Sequence, residues 1–213
     1  MGLALSVGYL EGLGGPDGDP EGLEWFREEL LTLNAFLRKH GLPEHHEPTN
    51  LPPLRYRGHW CSFPYSFTHH LRRAVAYARR APEKFAAIDR EADPTEDEYL
   101  DRELSVHFGC HLICHSDCEG YYVPLDFPEP LYSDDEDRIP GCMVGSSVRL
   151  LAELRQAATL LEITLDADGR LDDPEAERLK DEGHQYHLER MVWFTFFEVA
   201  QASVDLKSLI VFH

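Results

Sequence analysis

Apolar residues recur along the chain with two distinct periods. Leu23, Phe26, Leu30, Leu33 and Leu37 fall three or four apart, which places them on one face of a helix at residues 20–40. Asp19 before Pro20 supplies the start signal, and His40-Gly41 followed by Pro43 the stop. The same period gathers Phe67, Leu71, Ala74, Val75 and Ala78 in a helix at residues 64–81, opened by Pro64 and ended near Ala81-Pro82. Leu150, Leu151, Leu154, Ala158 and Leu161 line a helix at residues 146–161, capped by Ser146 or Ser147. Met191, Val192, Phe194, Phe196 and Val199 belong to a long apolar helix at residues 186–204. An acidic helix from Pro94-Thr95 to about Val106 and a stretch starting at Pro174, interrupted by Gly183, complete the helical set.

Alternation and β-rich runs predict strands at residues 3–10, 110–116, 121–127, 163–165 and 209–213. The second and third read as a hairpin closing at Asp117-Cys118-Glu119-Gly120. A helix over residues 107–118 stays open, because His and Cys recur there four apart. A glycine-rich loop (Gly12, Gly14, Gly15, Gly18), a Pro/His-rich loop at residues 42–53 and an acidic loop at 128–140 connect these elements. An Asp168-Gly169 turn follows the strand at 163–165. Neither a repeat nor a linker-like composition break interrupts the chain. The expectation is one α+β domain, a mixed or antiparallel sheet of about five strands packed by four to six helices.

Composition agrees: 213 residues, 43% hydrophobic and 11% aromatic, suffice for a substantial core. Met1 to Leu10 lacks the positive region of a signal peptide, and no apolar run reaches membrane-spanning length. Five cysteines without an export signal fit reduced thiols in a cytoplasmic, soluble protein.

Charge narrows the function classes. The formal net charge is −19, which argues against general coating of DNA or RNA. Residues 83–104 hold nine acidic and three basic side chains, residues 126–138 six and one, residues 162–182 nine and three, together −17 of that total. Solvated faces are one reading. The other is an acidic surface that docks a basic protein partner, or mimics the phosphates such a partner meets. Asp134, Asp135, Glu136 and Asp137 are the candidate partner-binding run. By size and charge the chain is similar to small acidic bacterial-type immunity and inhibitor proteins, a resemblance that implies a basic partner and carries no motif.

One stretch runs against this background. Between Glu47 and Glu83 no acidic residue occurs, while Arg55, Arg57, Arg72, Arg73, Arg79 and Arg80 alternate with aromatics such as Tyr56, Trp60, Phe63, Tyr65 and Tyr77. Such guanidinium groups can clamp a phosphate or stack on a base. They can equally pair with the acidic helix that follows.

The densest reactive cluster spans residues 107–119. His107, His111 and His115, with Asp117 or Glu119, are candidate ligands for zinc or a similar divalent metal. On a strand, His111 and His115 share a face; on a helix, all three histidines form a stripe. No established zinc spacing is present. A cysteine beside a histidine could also act as a nucleophile. The alternative function is therefore a metal-dependent enzyme or sensor acting on an anionic or nucleotide-like substrate. Other motifs fail: the Gly12–Gly18 loop carries Asp17 where a dinucleotide loop needs glycine, G-K-[ST] is absent, and Asp166-Ala-Asp168-Gly169 lacks the remaining ligands of a calcium loop.

Overall fold

Asp19 begins the first long helix as its side chain allows, its carboxylate accepting from Glu21 N at 3.1 Å with Pro20 at the first turn. The computed structural model describes residues 2–15, 18–52, 57, 62–89 and 91–212. Among them are seven α-helices: α1 (Tyr9–Gly14), α2 (Pro20–Lys39), α3 (Phe67–Arg80), α4 (Glu98–Arg102), α5 (Ser147–Ala158), α6 (Asp173–Arg178) and α7 (His187–Leu206). Five strands accompany them: β1 (Leu5–Val7), β2 (Gly120–Val123), β3 (Leu131–Tyr132), β4 (Met143–Ser146) and β5 (Ile210–Phe212).

The strands form one mixed sheet in the order β1-β5-β2-β4-β3. β2 pairs parallel with β4 and antiparallel with β5, while β1–β5 and β3–β4 are antiparallel. Side chains alternate across it. Leu5, Tyr122, Ile210 and Phe212 face the larger core, built with α3, α5 and α7. Tyr121, Val123, Val144 and Val211 face the other side, where Phe26, Leu33, Phe36 and Leu37 of α2 cover them. The α+β architecture expected from the pattern is what folds, with helices on both faces of the sheet. Trp193 ties α7 to α5 by donating to Leu154 O at 2.8 Å. Gly145 is required beside β2, since a Cβ there would lie 2.3 Å from the Tyr122 ring.

The long helices lie where their periodicity puts them, and Ser146 caps α5 by accepting from Arg149 N at 3.2 Å. Four expectations need correction. Residues 110–116 form neither a strand nor a helix but an irregular turn segment. Residues 163–165 are not a strand: Ile163 N bonds Ala158 O at 2.9 Å to close α5, and Thr164 N bonds Glu175 Oε1 at 2.8 Å. Both donors are thus spent locally, outside any ladder. The first strand shrinks to Leu5–Val7, because Gly8 turns left-handed (φ 75°) and starts α1 where a glycine loop was expected. The acidic helix divides into α4 and a π turn at Glu103–His107 that ends at Phe108. The sheet draws instead on β3 and β4, from the loop at 128–140 and the run before Ser147. No helix among the described residues is long and apolar enough to cross a membrane.

Candidate functional site

Arg72 and Arg73 of α3 point inward. Arg72, only 4% exposed, donates to Leu112 O at 3.2 Å, to His115 O at 2.5 Å and to the Asp117 carboxylate. Arg73, equally buried, bonds Asp97 Oδ2 at 2.8 Å and Ala86 O at 3.0 Å, and its guanidinium stacks over Tyr77 and Phe85. Asp97 also caps α4 through Tyr99 N at 2.9 Å, so one carboxylate starts a helix and neutralises a buried cation. Arg79 and Arg80 converge on the fully buried Glu103. Arg57 reaches Glu198 at 2.8 Å and Asp173 at 2.7 Å. Arg55, Tyr56 and Trp60 lie outside the described residues. Each described arginine of the set is engaged by carboxylates of the same chain, and the following acidic segment takes Arg73, Arg79 and Arg80.

The cluster at 107–119 is organised by its neighbours. Glu153 of α5 accepts from His111 N at 2.8 Å and Leu112 N at 2.9 Å; Tyr122 donates to His111 O at 2.9 Å; Cys114 N bonds Cys110 O at 3.0 Å. With Arg72 on the carbonyls of Leu112 and His115, much of this backbone's bonding is met by side chains. His111 Nδ1 accepts from Ser146 N at 3.0 Å, and His115 lies stacked on Tyr122 with centroids 4.3 Å apart. Burial pushes both imidazoles down to about 4, so both are neutral at pH 7. Burial likewise pushes the Cys110 thiol up, away from a reactive thiolate. Burial opposes ionisation of Asp117, yet His69 and Arg72 together hold it down at about 2. His107 and Glu119 are exposed, apart from the buried pair. Among the described residues no three His, Cys, Asp or Glu side chains come together in a group that could hold a metal ion.

The acids of the loop after β3 face outward. Asp134 folds the loop by accepting from Glu136 N at 3.0 Å and Asp137 N at 3.2 Å, leaving Asp135 and Glu136 exposed. Lys39 at the end of α2 binds Asp137 at 2.8 Å, and this hydrogen bond lowers the carboxylate's pKa. In the segment at 83–104, Asp89, Glu91, Asp93, Glu96, Glu98 and Asp101 remain exposed. Arg57, Arg72, Arg73 and Arg79 are drawn to internal partners while these carboxylates stay in water.

That partition of charge meets an independent finding: residues 1–212 match the family described as "Putative DNA-mimic protein". The chain belongs to this family. DNA mimics are acidic proteins that bind DNA-binding partners, so membership makes the chain an acidic interaction protein. No curated protein and no solved structure matches it. The sequence pointed to the outward carboxylates through charge runs, but gave no sign of the exposed apolar residues beside them, Leu104, Val106, Phe108 and Tyr132.

Proposed function

We propose that this protein acts as an inhibitor or immunity factor by laying its exposed carboxylates on the DNA-contacting surface of a basic DNA-binding protein. One observation carries the reading: arginines such as Arg72 and Arg73 are folded inside against Asp117 and Asp97, while the acids of residues 83–104 and 126–138 stay largely outside. A surface that keeps these acids outside while Arg72 and Arg73 are withdrawn presents a field that steers and holds a basic partner. Family membership names the class of partner.

Displacement from DNA tests this. Native extract is passed over DNA-cellulose at about 0.05 M salt, and the bound fraction is challenged with the purified protein. Release of one or a few DNA-binding proteins beyond what a buffer wash releases is the expected result, and the released complex should come apart at about 0.5 M salt, where exposed charges are screened. An unrelated acidic protein of similar charge should not reproduce it. If the purified protein releases nothing beyond the buffer wash at about 0.05 M salt, the reading is wrong.

A further inference from the structure

Four large apolar side chains stand in water at the junction of the π turn and the edge strand. Leu104 is 40%, Val106 63%, Phe108 49% and Tyr132 47% exposed. Tyr132 donates to Phe108 O at 2.8 Å, which ties strand β3 to the end of the turn that carries Leu104 and Val106. Phe108 adopts a left-handed conformation (φ 48°), which is costly for a bulky residue and holds its ring outside the core. Exposed apolar clusters rimmed by polar groups mark interaction sites.

The rim is acidic. Glu129 lies close enough to Tyr132 to perturb its hydroxyl electrostatically. Asp134, Asp135 and Glu136 begin two residues beyond Tyr132, and Asp101 occupies the turn before Leu104, its carbonyl accepting from Ser105. Nearby cations are tied to carboxylates: Arg102 to Glu98, Arg80 to Glu103 and Lys39 to Asp137. Arg138 is exposed on the same loop, but one cation against Glu129, Asp134, Asp135 and Glu136 leaves the rim a net negative charge.

We infer that Leu104, Val106, Phe108 and Tyr132 form the apolar anchor of the docking surface. The acidic rim fixes the occupant as the basic, DNA-contacting face of a DNA-binding protein. The inference rests on the DNA-mimic reading and adds to it the place of contact. Charge complementarity selects this occupant over a second copy of the chain, whose own acidic rim would meet like charge. The division of labour follows interface physics: a dry apolar centre carries affinity, and rim charges carry approach and register.

Site-specific photocrosslinking in native extract tests the anchor. p-Benzoylphenylalanine is placed singly at Phe108, at Trp25 on α2, and at Glu177 in the segment 162–182. Crosslinked peptides are sequenced by mass spectrometry. The expected product joins position 108 to the DNA-contacting surface of a DNA-binding protein. A crosslink from 108 to another copy of this chain overturns the inference in favour of self-association. A DNA-binding protein caught only from 25 or 177 also overturns it and leaves the DNA-mimic reading intact. No DNA-binding protein at any position, with no release from DNA-cellulose, overturns both. A second readout is Phe108→Asn, since Asn tolerates the left-handed backbone and removes only the ring. It should weaken DNA displacement about tenfold through faster dissociation, with unchanged salt dependence and no loss of thermal stability. An unchanged displacement curve would count against the anchor.

Discussion

His111 and His115 sit where a proton cannot be accommodated cheaply. Both are almost fully enclosed, one with Nδ1 accepting from Ser146 N and the other packed against the rings of Tyr122 and Phe212. Burial therefore holds both near 4, against 6.5 in the unfolded chain. Between those values the unfolded state binds more protons, so acid favours unfolding. Stability is fully present above pH 6.5 and falls as pH drops toward 4, by up to about 3 kcal/mol per ring. Asp117, held at about 2, adds a further loss below its usual 3.8. Glu153 and Glu189, raised by burial, act in the opposite sense and soften the decline. Urea titrations at about pH 7.5, 6 and 5 should show a falling midpoint. His115→Asn should start lower but decline less steeply. A midpoint that is flat from pH 7.5 to about 5 would contradict neutral histidines.

At the scale of elements, the long helices were legible because each signal is local. Asp19 and Ser146 cap, the apolar positions repeat, and a turn or proline ends the run. Residues 110–117 were illegible for the opposite reason. Their alternation is compatible with a strand, yet their polar groups are met by Arg72, Glu153 and Tyr122, which are between 11 and 43 residues away in sequence. Pairing of β2 with β4 depends on Gly145 meeting Tyr122, equally invisible to a window of a dozen residues. The inward course of the arginines follows from α3 being buried on nearly all sides, although their acidic partners nearby in sequence were visible as an alternative to a ligand. If Arg72 shapes this segment, Arg72→Met should cost about 3–5 kcal/mol in urea unfolding, since it strands a half-buried carboxylate and two carbonyls. Arg80→Met should cost under about 1 kcal/mol, its side chain being 41% exposed and Glu103 keeping Arg79. Equal losses in the two variants would show that Arg72 is not the organising contact.

At the scale of the whole molecule, the net charge of −19 burdens the fold while serving the proposed docking. Carboxylates that repel one another in the free protein are the groups a basic partner would neutralise. The two acidic regions at 126–138 and 162–182 should therefore behave alike in stability and differently in binding. Asp135→Asn with Glu136→Gln, and separately Asp168→Asn with Glu177→Gln, each remove two exposed charges. Both pairs relieve self-repulsion, and the exposed Glu177–Lys180 pair lost in the second is worth only about 0.3 kcal/mol, so neither should lower the Tm at low salt by more than a degree or so. The first pair borders the apolar anchor, and its loss should slow association with the DNA-binding partner severalfold and flatten the dependence on salt. The second pair lies in another acidic segment and should leave the association rate within about a factor of two, because rim charges act chiefly at short screened range. Stopped-flow association at several salt concentrations separates these outcomes. Equal slowing by both pairs would mean that the partner responds to total charge, and that residues 129–136 hold no privileged place in the encounter.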